Sequence, residues 1–307
     1  MRIAVVGSGA MGGLFGGMLA EAGEEVTLVD VWEEHVRAIN ERGLRVRGVG
    51  GERVIRVSAT TNPGEVGSVD LVLIFVKSYD TQEAAADALP LASGETVFLT
   101  LQNGLGNAEK IAEVVGSHRV VVGVTAQGST LLGPGEIRHA GVGATTIGEL
   151  NGAKTSRILR IKEAFNSAGL DTEVSASILD AVWSKVLVNV GINALTALTG
   201  LRNGELLAFP EIRGVMRRAV LEAKEVAEAK GVRIGGDPVE KVYEVAETTA
   251  ANRSSMLQDI DRCRRTEIGA LNGTIVEMGR RLGVDTPVNE ALTAAVLGLE
   301  SVRMKKL

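Results

Sequence analysis

The chain has 307 residues and a mass of 32.2 kDa, enough for about two domains and a sizeable core. It is 45% hydrophobic and 23% charged, as folded globular proteins are. A net charge of −5 argues against non-specific nucleic-acid or anionic-membrane binding, and 3% aromatic content leaves little for stacking single-stranded bases. The single cysteine, Cys263, excludes an intrachain disulfide and points to a reducing, cytoplasmic setting. With only His35, His118 and His139 beside it, no His/Cys metal site is expected. The first residues enter a strand without a signal-peptide pattern, and no run of about 18 apolar residues suggests a membrane span.

Taken in order, Ile3–Val6 reads as a buried strand and Ala10–Ala22 as a helix. Val26–Asp30 is a second strand and Glu33–Arg42 a polar helix. Arg45–Arg47 and Val54–Val57 read as a small hairpin across Gly48–Gly51. A strand at Asp70–Val76, a helix at Gln82–Leu89, a strand at Thr96–Thr100 and a helix at Asn107–Val115 follow. Val120–Val124 is another strand, Ile137–Leu150 alternates like a late hairpin, and Thr155–Ala168 is a helix. This β-α-β rhythm predicts an α/β fold with an open parallel sheet covered on both faces. After about Thr172 strand signals almost vanish. Helices are expected at Ala176–Leu198, Glu205–Phe209, Glu211–Lys230, Pro238–Ala250, Asp259–Leu282 and Pro287–Leu299. Asp237-Pro238 and Thr286-Pro287 look like helix starts, and Gly231 and Gly283 like helix ends. The division is expected at residues 1–173 and 174–307, an α/β part and an all-helical part.

Gly7-Ser8-Gly9-Ala10-Met11-Gly12 is a G-x-G-x-x-G run that follows a strand at once and opens a helix. Gly7 allows the tight turn, Gly9 lets the backbone approach a pyrophosphate, and Gly12 lets helix and strand pack closely. The helix N-terminus then faces the phosphates. The alternative is a glycine-rich turn with no ligand. Asp30, 18 residues after Gly12, ends the second strand near the spacing of about 20 expected for a ribose-binding acid. Its charge would oppose a 2′-phosphate, which favours NADH over NADPH, unless Asp30 is only a helix cap. Lys77 and Asn103 sit in loops at later strand ends, where such sheets bind ligands, although Asn103-Gly104 is also a plain turn dipeptide.

In the helical part, Lys185, Asn189 and Asn193 recur four residues apart on an otherwise apolar helix. Burying an ammonium and two amides is costly unless they are paired. The stripe therefore lines a cleft, or the lysine snorkels and the amides cap loops. Asn252 and Ser255 read as capping residues, Glu267 as part of a charged helix face, and Cys263 as an inert packed thiol.

Together Gly7–Gly12, Leu101–Gly104, Trp183–Asn193, Arg202–Leu206, Ser254–Asp259 and Thr266–Asn272 make the chain resemble the ketopantoate reductase (2-dehydropantoate 2-reductase) family over nearly its full length. The resemblance implies a Rossmann-type doubly wound N-terminal domain, an all-helical C-terminal domain and reduction of 2-dehydropantoate to (R)-pantoate by NAD(P)H. It implies Lys185 as proton donor and Asn189, Asn193, Asn203, Asn252 and Ser255 as substrate contacts. Asn103 would lie between cofactor and substrate, Glu267 near the nicotinamide ribose and substrate, and Lys77 against cofactor. Well-known NADPH-dependent members place an arginine where this chain reads Val29-Asp30-Val31. Reduction of another 2-oxo acid, or a non-catalytic NAD(P)-binding regulator, are the competing readings. The apolar faces at Glu211–Lys230 and Asp259–Leu282 could build a homodimer or pack on one another.

Overall fold

The computed structural model of the chain describes residues 1–305. Two compact units are present: residues 1–102 with 107–178, and residues 103–106 with 179 onward. In chain order the first holds β1 (Arg2–Val6), α1 (Ala10–Glu21), β2 (Glu25–Val29), α2 (Glu33–Arg42), β3 (Leu44–Gly48), β4 (Arg53–Ile55), β5 (Ser58–Thr60) and β6 (Leu71–Ile74). It continues with α3 (Thr81–Asp87), β7 (Val97–Thr100), α4 (Asn107–Val115), β8 (Val120–Thr125), β9 (Gly128–Gly133), β10 (Glu136–Gly141), β11 (Thr145–Glu149), α5 (Ser156–Ser167) and β12 (Thr172–Val174).

Eight strands form the main sheet in the order β12-β11-β8-β7-β6-β1-β2-β5. From β5 to β8 every neighbour pair is parallel. Numbered along the chain, those six strands have the 3-2-1-4-5-6 order of a doubly wound dinucleotide-binding sheet, with its switch point between β1 and β6. Their apolar runs read as buried on both faces, and Leu71–Ile74 and Val97–Thr100 are buried throughout. A second sheet, β4-β3-β10-β9, contains the expected hairpin of β3 and β4.

The late hairpin expected at Ile137–Leu150 does not form. β10 pairs with β9 and with β3 in the small sheet, whereas β11 joins the main sheet beside β8. Alternation shows that a strand has two different faces but does not name its neighbour. The short β5 and β12, of three residues each, are not expected from the sequence pattern. β12 pairs with β11, which carries the sheet unit past the boundary expected at 173.

α1 packs against both sheets. Gly12 and Gly16 face the main sheet, where a Cβ would come within 3.1 Å of Val5; Gly13 and Gly17 face the small one, close to Ile137 and to Leu44 and Ile55. Leu14, Phe15 and Leu19 fill the core around it, with Phe15 edge-on to Phe165 at 5.6 Å.

The second unit is built from α6 (Ile178–Thr199), α7 (Pro210–Ala229), α8 (Pro238–Thr248), α9 (Ser255–Asp261), α10 (Asn272–Leu282) and α11 (Pro287–Met304). The helix expected at Glu205–Phe209 is instead a 3-10 turn at Gly204–Ala208. The expected helix 259–282 is broken: α9 ends at Asp261, Cys263 adopts φ +53°, and α10 starts at Asn272. The expected starts and ends fit elsewhere: Asp237 caps α8 through Val239 and Glu240 N–H groups, and Gly283 ends α10 at φ +73°. By length and mean hydropathy α6 could cross a membrane, but 61% of its apolar window is buried as the core helix of this unit. Asn272 and Asn289 tie α10 and α11 together inside, with Asn272 Nδ2 donating to Asn289 Oδ1 at 2.9 Å and to the Val190 carbonyl of α6.

A Cβ on Gly12 would lie 2.0 Å from the Gly7 carbonyl oxygen, a backbone atom that cannot move aside cheaply. Gly12→Ala is therefore expected to destabilise the protein by about 2–4 kcal/mol in urea unfolding. An effect below about 0.5 kcal/mol would contradict this packing.

Candidate active site

The chain leaves β1 through Gly7 at φ +87°, and a Cβ there would sit 2.7 Å from the Val76 nitrogen at the end of β6. Gly9 differs, because a Cβ there would meet nothing within 4 Å. Gly9 is the N-cap of the 12-residue α1 and supplies no side-chain cap. Ala10 and Met11 form the first turn, half-buried, and Ser8 is buried. Open space before an uncapped helix end is the shape into which a pyrophosphate fits, with backbone N–H groups and the helix dipole facing it.

Asp30 follows β2, half-buried. One carboxylate oxygen accepts from the Ser8 hydroxyl at 3.1 Å and the other from the Trp32 N–H at 3.0 Å. It does not cap α2, whose N-cap is Trp32. Each oxygen keeps a further lone pair that can accept from a ribose diol. Lys77 lies half-buried in the loop after β6, and its carbonyl accepts from the Asp80 N–H at 2.8 Å. Beside it, Gln102 Nε2 donates to the Val76 carbonyl at 2.7 Å and to the Thr81 hydroxyl at 2.8 Å, while its Oε1 accepts from Thr100. Gln102 thus ties the ends of β6 and β7. The sequence passes over it, because strand adjacency is needed to see a bridging amide.

In the helical unit Lys185, Asn189 and Asn193 share one face of α6, with Asn193 buried and the others half-buried. Burial pushes the Lys185 ammonium down to about 8, and the charge of Glu267 opposes that shift. Glu267 does not stand on a solvated helix face. It lies in the break between α9 and α10, just before a 3-10 turn at Ile268–Ala270. The break is anchored by Glu300 of α11, buried, which accepts from the N–H of Thr266 at 3.0 Å and from its hydroxyl. The 103–106 loop is seated beside it. Leu105 N–H donates to the Ala270 carbonyl at 3.0 Å, and Ala270 N–H to the Glu267 carbonyl at 3.0 Å. Asn103 is thereby brought close to the segment that carries Glu267.

Asn203 is buried, and its N–H donates to the Asn252 carbonyl at 3.0 Å. Its Nδ2 donates to the Thr249 hydroxyl at 2.9 Å, which leaves Oδ1 as a buried acceptor without a partner. Asn252 and Ser255 are exposed and cap nothing. The cap of α9 is Ser254, which accepts from the Leu257 N–H at 3.1 Å and bonds Thr196 Oγ1 at 2.6 Å. Sequence patterning cannot separate adjacent serines in this way, since either fits a cap. Among the described residues no three His, Cys, Asp or Glu side chains group so as to hold a metal.

These features define a dinucleotide-dependent oxidoreductase: a glycine turn at the switch point of a doubly wound sheet, and a helical unit that carries an ammonium on one helix face with two amides. The chain belongs to the ketopantoate reductase family. Its residues 3–152 match the sequence profile described as ketopantoate reductase PanE/ApbA, and residues 177–300 match that of the family's C-terminal part. A curated 2-dehydropantoate 2-reductase of Halobacterium salinarum is 46% identical over 96% of this chain and 98% of its own. The crystal structure of a PanE/ApbA family ketopantoate reductase from Ralstonia eutropha JMP134 matches with a TM-score of 0.93 at 37% identity, covering 99% of both chains. D-mandelate dehydrogenase, solved with NADH and anilino(oxo)acetate, also matches at 0.93, with 29% identity and 99% of both chains covered.

The lowered Lys185 value makes a statement about stability. Below about pH 8 folded and unfolded chains both carry the proton, and the full cost of the buried charge is present. Between about 8 and the ordinary 10.5 the unfolded chain holds a proton that the folded chain lacks, so stability rises with pH there. Lys185→Met is accordingly expected to raise Tm by a few degrees at pH 7 in the absence of ligands, and to gain less at pH 10. A lower Tm at pH 7, seen by calorimetry, would contradict it.

Proposed function

We propose that the chain is a 2-dehydropantoate 2-reductase that forms (R)-pantoate in the cytoplasm, a step toward pantothenate and coenzyme A. The observation that carries this reading is Lys185, an ammonium lowered to about 8 that feels the charge of Glu267 and shares its helix face with Asn189 and Asn193, in a chain closely related to named reductases of that substrate. The glycine turn, the uncapped α1 and Asp30 fit a dinucleotide's pyrophosphate and adenosine ribose; Lys77 and Asn103 complete that set. When bound, the reduced nicotinamide supplies a hydride to C2 of the oxo acid. Lys185 holds its proton at Nζ against the oxygen on C2, stabilises the negative charge that develops there and then gives up the proton. Glu267 keeps Lys185 protonated, since its negative charge raises the affinity for that proton.

Asn189, Asn193, Asn252 and Ser255 orient the substrate without neutralising the lysine. Asn203 Oδ1, buried and unpartnered, accepts from the substrate's hydroxyl. A second reading, reduction of an aromatic 2-oxo acid, draws support from the likeness to D-mandelate dehydrogenase. The hydroxyl separates the two, because 2-dehydropantoate carries one to pair with Asn203 and phenylglyoxylate does not. A higher kcat/KM for 2-dehydropantoate, with the advantage reduced in Asn203→Ala, is the expected result; a preference for phenylglyoxylate would favour the second reading.

Reduction needs the protonated lysine, so kcat/KM for the oxo acid should fall about tenfold per pH unit above about 8. Lys185→Ala should lower kcat by about 10²–10⁴-fold with dinucleotide binding retained. A flat profile to pH 10, or an Ala variant with ordinary turnover, would remove Lys185 from the mechanism.

Asp30 favours NADH, since a 2′-phosphate would meet its carboxylate. Initial rates should give a larger kcat/KM with NADH than with NADPH, and Asp30→Ala should narrow the gap. NADPH preference in the unaltered protein would overturn this assignment.

A further inference from the structure

His35 of α2 is fully buried, and the proton-donor reading of Lys185 leaves it no part in the reaction. Its Nδ1 accepts from the Gly135 N–H at 3.0 Å, in the turn between β9 and β10. That leaves Nε2 as the ring N–H, and Nε2 lies 3.0 Å from the Ser8 carbonyl oxygen, to which it donates. The ring stacks on Trp32, with centroids 5.4 Å apart and planes 9° from parallel. Trp32 N–H donates to Asp30, and Asp30 accepts from the Ser8 hydroxyl. Ser8, Asp30, Trp32 and His35 therefore close a circuit joining the glycine turn to the end of β2.

The Ser8 carbonyl belongs to the peptide that carries the Gly9 N–H. In a planar trans peptide the two groups point in opposite directions. Holding the carbonyl toward the buried imidazole turns the Gly9 N–H away from the interior. A Cβ on Gly9 would find no atom within 4 Å. We propose that His35 is a positioning residue for dinucleotide binding, which orients the Ser8–Gly9 peptide so that the Gly9 N–H donates to the bound pyrophosphate. The assignment rests on the glycine turn being the pyrophosphate site, as the proposed function has it. His35 itself touches no ligand.

Two substitutions divide its two hydrogen bonds. The amide of Gln reaches the Nε2 position and can keep the donor to Ser8, whereas the amide of Asn reaches only the Nδ1 position and can keep the acceptor for Gly135. His35→Asn should raise the Kd for ADP-ribose and the KM for NADH by about fivefold to tenfold, the scale of one hydrogen bond, with kcat at saturating NADH within about twofold. His35→Gln should stay within about twofold of the unaltered protein on all three measures. A merely structural role would lower Tm in both variants without separating their affinities. Equal Kd values in the two variants, beside a binding unaltered protein, would overturn the proposal alone. Failure of the unaltered protein to bind ADP-ribose would overturn the glycine-turn reading and this proposal with it.

Nitrogen-15 spectra of the histidines cover the case in which the Asn variant fails to fold. With only three histidines, His35 can be assigned by substituting His118 and His139. It should show the Nε2–H tautomer in the unaltered protein, and a change in its Nε2 signal on addition of ADP-ribose. An Nδ1–H tautomer, or an Nε2 signal that ignores the ligand, would overturn the proposal.

Discussion

The sheet unit depends on how closely α1 can approach its surroundings. Gly12 and Gly16 bring the helix down on the main sheet, while Gly13 and Gly17 let the small sheet close over its other side. A helix with side chains at those positions could not fit between two sheets, because cores are packed to crystal density and have no spare volume. The same contacts fix where the helix begins. With Gly12 against the Gly7 carbonyl, the first turn of α1 is held at the end of β1, beside the switch point. The glycines that look like a nucleotide signature are thus also a packing requirement.

In the helical unit the governing quantity is the cost of a charge. α6 is apolar enough to be a core helix, yet it carries Lys185 on a face with Asn189 and Asn193. Enclosure lowers the ammonium's hold on its proton, and Glu267 restores part of it. A lysine at about 8 is a far better acid near neutrality than one at 10.5, while still protonated in the main. Enclosing that charge costs stability, a trade that proteins commonly make where an activity needs a group held inside. Glu300 is part of the same arrangement, because its bonds to Thr266 hold the broken segment that carries Glu267.

Where the fold departs from local sequence patterning, the departures share one cause. The segment 259–282 has helical periodicity throughout, and it breaks where tertiary bonds such as those of Thr266 to Glu300 and of Leu105 to Ala270 hold the chain. Ile137–Leu150 has strand alternation throughout, and nothing local shows that its two halves belong to different sheets. Ser254 and Ser255 are equivalent as letters, and one is a buried cap while the other is exposed. His35 and Gln102 carried no spacing signal, since each acts by joining elements that are distant along the chain.

What the sequence determined by itself is what depends on neighbours a few residues away. The strand and helix periods, the glycine turn of residues 7–12, Asp30 at a strand end and the four-residue spacing of the α6 stripe are all local, and backbone geometry ties them to the chain. Tertiary structure decided the strand order, the break before Glu267, the lowered Lys185 proton affinity and the circuit through His35. Each of these arises from burial or from hydrogen bonds between distant segments, and burial is a property of the folded whole that no window of residues contains.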